Sequence, residues 1–422
     1  MALIREVLLE LNPWWREEFS IEFREREVYK QLQKFMPLPQ ILAFTGLRRV
    51  GKTTLMLKIV ADLLKSGFNP RSIVYFSFDE FQEVEVREVL REYEELVETD
   101  LRKEKHVLLL DEIQKLGNWD DQLKGVYDTF GKNLKIIISG SESLFIKRKS
   151  KETLAGRMFE FKIEPLSFSE FLSFKGVDYK PVKLYEKELK RAFDEFTLTL
   201  GFPELVGVKE KEVLRKYVRE SIVEKVIYHD LYRMFKIRDM STIESLLDIL
   251  MEEPGQILEL SELAKELKTS RQTISTHMAY LEESFLVRKL YNYSPNRRKV
   301  ERKLRKYYPA IISPALLFRG DDHSKSKTFE WLVVNQLKPE FFWRDSYKNE
   351  VDAVAVTDGK PTPIEIKYGK TGVKGLVAFM KKFNIKEGYV ITRDIEETQK
   401  INGNLIHSIP AYKYLLTRGL PG

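Results

Sequence analysis

The sequence predicts a multidomain α/β chain whose N-terminal core is a parallel sheet covered on both faces by helices. Three observations carry that expectation. Gly46-Leu47-Arg48-Arg49-Val50-Gly51-Lys52-Thr53-Thr54 fits the phosphate-binding loop pattern G-x-x-x-x-G-K-[ST]. Sixty residues on, the apolar run His106-Val107-Leu108-Leu109-Leu110 ends in the carboxylates Asp111 and Glu112. From Asn12 to about Pro165, short apolar runs alternate with amphipathic ones, as a parallel sheet between helices requires.

The loop sits where its chemistry needs it. Ile41 to Phe44 reads as a buried strand and Leu55 to Ala61 as a helix. Between them the glycines let backbone N–H groups turn inward around a β-phosphate. Lys52 reaches the β- and γ-phosphates, and the Thr53 hydroxyl ligates Mg²⁺ at the positive end of the helix. ATP and Mg²⁺ are therefore the expected cofactors, with Gly46, Arg48, Arg49, Val50, Gly51, Lys52, Thr53 and Thr54 as the nucleotide-contacting set. Asp111 is placed to hold the Mg²⁺ and Glu112 to polarise the attacking water. Ser72 to Phe78 reads as another strand and Asp120 to Phe130 as a helix. A further strand, Lys135 to Ser141, ends in small hydroxyl residues that suit either a γ-phosphate sensor or a plain turn.

A chain of 422 residues is too long for one ordinary core, so two to four domains are expected. It has no cysteine, which excludes disulfides and thiolate metal sites. Charges within Met1 to Glu6, and the lack of any run of eighteen apolar residues, point to a soluble, cytoplasmic protein without a membrane partner. The charged fraction of 32%, with no cysteine, resembles the bias of hyperthermophile proteins, a hint about the host and not about function. With 71 Lys and Arg against 64 Asp and Glu the net charge is +7, which favours an acidic partner, most commonly nucleic acid.

Pattern divides the chain into a core at 1–165, a helical lid at 166–236, a third segment at 237–310 and a last at 311–422. The lid reading rests on long amphipathic runs such as Glu212 to Phe235, broken by Gly201-Phe202-Pro203. Four features together carry a more specific resemblance: the phosphate loop; Asp111-Glu112-Ile113-Gln114-Lys115; Leu154-Ala155-Gly156-Arg157 ahead of Pro165-Leu166-Ser167-Phe168; and Gly201-Phe202-Pro203-Glu204. They resemble the archaeal and bacterial AAA+ type P-loop ATPases that carry C-terminal winged-helix and nuclease-like domains, along the whole chain. The resemblance implies an AAA+ ATPase core. It makes Arg157 a candidate contact to the nucleotide's phosphates, in its own subunit or in a neighbouring one of a homo-oligomer. A usual member has two glycines where this chain has Leu200-Gly201, a departure that bears on the lid turn and not on ATP chemistry.

Ser241 to Tyr293 reads as a winged helix-turn-helix. Ile257 to Leu260 leads into a helix from Ser261 to Leu267, the turn Lys268-Thr269-Ser270 follows, and a second helix runs from Arg271 to Glu283. In that second helix Ile274, Met278, Leu281 and the following Phe285 share one face and form the expected core. Arg271, Gln272, Ser275 and Thr276 occupy the other, where they can reach base edges or phosphates in a major groove. Phe285 to Tyr291 is the expected wing strand. Behind it Arg297-Arg298-Lys299, Arg302-Lys303 and Arg305-Lys306 make a basic run suited to DNA phosphates or, with equal composition, to a solvated linker.

The last hundred residues hold a second constellation. Phe341 to Arg344, Glu350 to Val356 and Pro363 to Tyr368 read as strands, with a turn at Asp358-Gly359-Lys360. In the third, Ile364 and Ile366 face one side and Glu365 and Lys367 the other. With Asp352 on the preceding strand and Glu330 on a helix from Lys327 to Leu337, this set resembles the PD-(D/E)xK core of restriction-endonuclease-like domains. That resemblance implies Mg²⁺ held by Asp352 and Glu365, with Glu330 completing the set and Lys367 orienting the nucleophile. The functional expectation is an ATP-binding and ATP-hydrolysing, DNA-binding protein that couples ATPase action to DNA remodelling or cleavage. The alternative is a nucleotide-dependent switch, binding DNA or protein, whose nuclease fold is not catalytic.

Overall fold

The computed structural model describes residues 2–79, 81, 84–140, 153–231, 240–296, 300, 304–369 and 372–417, and the chain divides into two compact units, Met1–Pro165 and Leu166–Gly422. No helix among the described residues is long and apolar enough to cross a membrane.

The first unit is built on five parallel strands: β1 (Ile41–Thr45), β2 (Ile73–Ser77), β3 (His106–Asp111), β4 (Leu134–Gly140) and β5 (Met158–Lys162), in the order β2-β3-β4-β1-β5. β1 and β3 are buried at every position, as expected of strands covered on both faces. The helices are α1 (Ala2–Leu11), α2 (Glu27–Phe35), α3 (Lys52–Lys65), α4 (Val86–Val97) and α5 (Trp119–Phe130). The N-terminal segment covers the edge of β2. The Asn12 side chain accepts from the Tyr75 N–H at 2.7 Å and donates to the Tyr75 carbonyl at 2.9 Å. The Trp14 and Trp15 indoles both donate to the Ile73 carbonyl, at 3.0 and 2.8 Å. Main-chain groups that would template another strand are thereby satisfied. β4 is inserted between β1 and β3, so the loop after β1 and the carboxylates ending β3 face each other across the end of β4.

The second unit opens with α6 (Phe168–Lys175), started by a capping box between Ser167 and Glu170. α7 (Glu186–Thr199) and α8 (Lys211–Lys216) follow, the last continuing in wide helical turns through Leu231. Then come α9 (Ser241–Glu252), β6 (Gln256–Ile257), α10 (Leu260–Glu266), α11 (Arg271–Glu283), β7 (Val287–Asn292) and β8 (Arg305–Pro309). The expected second helix of this segment is α11 to the residue, capped by Ser270. β6 and β7 both pair antiparallel with β8.

After α12 (Pro314–Phe318), the C-terminal part runs α13 (Asp322–Leu337), β9 (Phe341–Arg344), β10 (Glu350–Thr357), β11 (Lys360–Lys367), α14 (Lys374–Phe383), β12 (Glu387–Thr392), β13 (Glu397–Ile401), β14 (Asn404–Pro410) and α15 (Ala411–Thr417). α13 begins five residues before the expected Lys327, because Asp321 caps it through the Ser324 N–H. β7 pairs parallel with β9, which joins everything into one nine-stranded sheet, β13-β14-β12-β11-β10-β9-β7-β8-β6. Patterning cuts the chain at 310/311, but backbone hydrogen bonds run straight through that cut.

α14 covers one face of this sheet. Leu376, Phe379 and Met380 pack on Val351, Val354, Trp343 and Val390. Gly375 makes the close approach: a Cβ there would lie 1.8 Å from the Glu350 carbonyl oxygen. β10 shifts register against β9 between Val351 and Val354, a bulge that lets both valines reach α14 while Asp352 faces the other way, toward α13. Gly375→Ala is expected to destabilise the second unit by about 2 kcal/mol, seen as a lower thermal midpoint. Gly320→Ala, where an added Cβ meets nothing within 4 Å, should leave the midpoint in place.

Candidate functional site

The first unit brings the loop and the carboxylate pair together. Gly46 has φ +142°, and a Cβ there would lie 2.1 Å from the Ile163 carbonyl oxygen, so only glycine lets the chain leave β1 beside the exit of β5. Gly51, at φ +95°, opens α3. Arg49 also takes a positive φ, and Val50 is fully buried beneath the loop. The Lys52 ammonium is buried and donates to the carbonyls of Gly46 at 3.2 Å and Leu47 at 2.9 Å. Arg48 is half-buried, and Thr54 lies exposed on the first turn of α3.

Asp111 is the fixed point of this site. The Thr53 hydroxyl donates to its Oδ2 at 2.6 Å, Tyr75 donates to the same oxygen at 2.8 Å, and Ser139 Oγ donates to Oδ1. Burial, then the Asp111 charge, pushes the Tyr75 phenol far above its ordinary range, so it remains a donor. Glu112 takes φ 52° at the strand exit; its N–H donates to Asp111 Oδ1 at 3.1 Å, and Gln114 donates to its Oε2 at 2.6 Å. Of the two hydroxyls expected to end the strand from Lys135 to Ser141, Ser139 serves Asp111, and Ser141 lies outside the described residues. A residue that patterning passes over also belongs here. Arg26 is buried, donating to the Val50 carbonyl at 2.9 Å and the Glu164 carbonyl at 2.7 Å, and so braces the loop against the segment after β5. An arginine preceding a helix at Glu27 gives no local signal of that role.

Arg157 is not with this group. Met158 pairs with Ile41 at the start of β1, whereas the loop begins beyond Thr45, so Arg157 lies about 20 Å along the strands from Gly46 at roughly 3.3 Å per residue. Its guanidinium donates to Asp128 at 3.0 Å. The part of the expectation that has it touch its own subunit's nucleotide is corrected by the parallel register of β5 on β1.

On α11, Ile274, Met278 and Leu281 are buried and Arg271, Gln272 and Ser275 exposed, with Thr276 half-exposed. His277, which patterning does not assign, is also buried. Arg297, Arg298 and Lys299 lie outside the described residues, as do Arg302 and Lys303.

The C-terminal constellation assembles, but with an additional member. Glu330 from α13, Asp352 from β10 and Glu365 and Lys367 from β11 converge on one side of the sheet. In their midst is Lys306 of β8. Its buried ammonium lies 3.0 Å from Glu330 Oε1, 3.1 Å from Asp352 Oδ1 and 2.9 Å from Glu350 Oε1. Tyr308 also donates to Glu330 Oε1, at 2.7 Å, and the Ile366 N–H to Asp352 Oδ2, at 2.9 Å. Lys367 pairs with Glu365 at 2.8 Å. Burial alone would push Lys306 down, but Glu330, Tyr308, Asp352 and Glu350 hold it charged, well above its ordinary value. Burial would also push Asp352 up; Lys306, Lys367 and the Ile366 amide outweigh it and leave it low. Glu365 is pushed up to about 8 by burial and by the Asp352 charge. The basic run read as phosphate-binding is thus corrected at Lys306: β-strand alternation turns it into the carboxylate cluster. The cluster does not fit Mg²⁺ as it stands, because a fixed monocation already takes an oxygen of the expected ligand Asp352 and one of Glu330, and among the described residues no group of His, Cys, Asp and Glu is arranged to hold a metal.

Comparison with known proteins agrees with part of this picture. Residues 38–172 match the family described as AAA domain, and two families described as domains of unknown function match 190–310 and 328–414. An uncharacterized protein of Haemophilus influenzae is 24% identical over 404 residues, covering 93% of each chain. An uncharacterized protein of Methanocaldococcus jannaschii is 27% identical over 437 residues, covering 95% of this chain and 89% of its own. Among solved structures, AMPPCP-bound DnaA from Aquifex aeolicus aligns over 63% of this chain and 90% of its own at 16% identity, with a TM-score of 0.30, too low to establish a shared fold. Residues 38–172, which hold the phosphate-loop pattern and the Asp111-Glu112 pair, thus match an AAA domain.

Two substitutions separate the braced loop from the distant arginine. Arg26→Met is expected to weaken ATP binding at least about tenfold, since the hydrogen bonds from its charged group to the Val50 and Glu164 carbonyls are lost and even one such bond, worth about 1.5–3 kcal/mol, corresponds to that factor. Arg157→Ala should leave the affinity of the isolated chain unchanged in the same calorimetric titration.

Proposed function

We propose, with the AAA domain at residues 38–172 as premise, that the chain is an ATP-binding and ATP-hydrolysing switch that engages DNA through residues 241–309. The observation that carries the ATP reading is the contact between Thr53 and Asp111 at 2.6 Å, at the N-terminus of α3 and beside the buried Lys52. A nucleotide's phosphates would be cradled by the N–H groups of the loop and met by Lys52, which exchanges its carbonyl partners for phosphate oxygens. Thr53 and Asp111 would hold Mg²⁺; among the described residues every donor to Asp111 is a neutral hydroxyl or amide, and none is a cation. The ion supplies charge neutralisation at the phosphates. Glu112 aligns the water and accepts its proton, held in place by Gln114.

The DNA reading rests on α11. Its N-terminal turn presents Arg271, Gln272 and Ser275 to solvent while its other face is buried, and the surrounding order of helices and strands, α9-β6-α10-α11-β7-β8, suits a winged helix-turn-helix. Arg157, remote from its own loop, would serve a neighbouring copy's nucleotide, which makes homo-oligomer formation part of this reading. The order α13-β9-β10-β11-α14-β12 suits a restriction-endonuclease-like core, and we assign that part a non-catalytic role, because Lys306 takes the cluster's oxygens. A DNA-cleaving ATPase is the second reading, favoured by the convergence of Glu330, Asp352, Glu365 and Lys367.

The tests follow from the roles. Lys52→Ala should lose tight nucleotide binding, and Glu112→Gln should bind ATP yet hydrolyse it at least about a hundredfold more slowly, as the loss of a general base requires. Parental turnover in Glu112→Gln would remove that residue from the mechanism. Duplex affinity should fall with salt by roughly 0.9 log units per decade for each phosphate neutralised, and Arg271→Ala should flatten the slope. DNA affinity indifferent to ATP in Glu112→Gln would sink the switch, and DNA cut in the presence of Mg²⁺ would reinstate the second reading.

A further inference from the structure

We propose that the Lys306 ammonium stands where a divalent cation would be held. Glu330, Glu350, Asp352 and Glu365 would then form a metal-free site in the wild-type chain and a divalent-cation site once that lysine is removed. The proposal rests on the second unit alone and is independent of the ATP reading.

The geometry is that of a substituted ion. An ammonium has three N–H donors, and Lys306 Nζ has three carboxylate oxygens from three residues at 2.9, 3.0 and 3.1 Å. It therefore occupies the point common to those oxygens, where Mg²⁺ would need them drawn in to about 2.0–2.1 Å or Ca²⁺ to about 2.3–2.6 Å. The site is enclosed on at least one side. Lys306 is 3% exposed, and at Gly255 an added Cβ would lie only 2.8 Å from Glu330 Oε1, so main chain closes that side.

Beside the three carboxylates that Lys306 pairs with, Glu365 keeps an oxygen that has no donor among the described residues. Glu365 is 6% exposed, and that oxygen is its Oε2. A buried carboxylate oxygen left without a donor costs free energy that a bound ion would recover. Its other oxygen pairs with Lys367, and the oxygens nearest Lys306 already share that ammonium.

The cation also has a different origin from its ligands. Glu330, Glu350, Asp352 and Glu365 all lie inside the family match at 328–414, whereas Lys306 belongs to the separately matched 190–310. The carboxylate set is complete within its own segment, and the neighbouring strand β8 supplies the charge that neutralises it.

The full-length chain tests this with Mn²⁺ as the probe, followed by its EPR signal in the absence of nucleotide. Wild type and Asp111→Asn, the latter without the ATP-site ligand, should hold no tightly bound Mn²⁺. Lys306→Met, which keeps the length of the side chain and removes its charge, should gain one Mn²⁺ per chain at least about tenfold more tightly than wild type. Adding Asp352→Asn should abolish that gain, and Lys306→Arg should not show it. Tight Mn²⁺ in nucleotide-free Asp111→Asn overturns the proposal, as does a folded Lys306→Met, judged by circular dichroism, that gains none. Should Lys306→Met not fold, the wild-type and Asp111→Asn titrations still decide: bound Mn²⁺ in both refutes a metal-free site, and its absence from both supports one.

Discussion

The second unit depends on one balance of charge: a buried lysine from β8 facing carboxylates of α13 and β10. Taking such ions out of water costs several kcal/mol each, and their attraction offsets the cost only when every oxygen and proton is placed. Here the placement is nearly complete, since Tyr308 and the Ile366 amide supply the donors that Lys306 does not. The consequence is architectural. Segments that patterning separates at 310/311 cannot be parted without stranding either a buried ammonium or the buried Asp352 with the half-buried Glu330 and Glu350. The parallel pairing of β7 with β9 makes the same join in backbone hydrogen bonds.

The two carboxylate centres of the chain show opposite solutions to one problem. Asp111 is satisfied by the hydroxyls of Thr53, Tyr75 and Ser139, which are neutral donors that a metal or phosphate can displace or share. Asp352 is satisfied by an ammonium fixed in a strand, which cannot leave without moving β8. Carboxylates of similar burial thus differ in what they can bind, because among the described residues the first is met by neutral donors and the second by a resident cation.

Strand order does for the first unit what the lysine does for the second. With β4 between β1 and β3, the Ser139 hydroxyl falls beside Asp111 at the ends of the strands, and Thr53 reaches the same carboxylate from the start of α3. The parallel direction of every strand places all the loop chemistry at one end of the sheet and leaves Arg157 at the other. Arg26 then stiffens the loop from outside, holding Val50 and Glu164 in one grip so that the glycine conformations at 46 and 51 stay paired.

Much of this is legible in the residues themselves. The loop, the carboxylate pair after β3, the helix from Arg271 to Glu283 with its buried face, and the strands around Glu365 all follow from local chemistry and from periods of two or 3.6 residues. These are properties of neighbours in the chain. Sequence patterning misplaces what depends on partners far apart. Lys306 reads as one more charge in a basic run, and its meeting with Glu330, Glu350 and Asp352 exists only once β8 enters the common sheet. Arg26 carries no local sign of the carbonyls it binds, and Arg157 sits in a motif that says nothing about which end of β1 it will occupy. The sequence alone determined the periodic elements and the phosphate-loop chemistry, since those are set within a few residues. Which charges neutralise one another was decided by strand order and register, because Coulomb interactions follow distance in space and burial rather than separation along the chain.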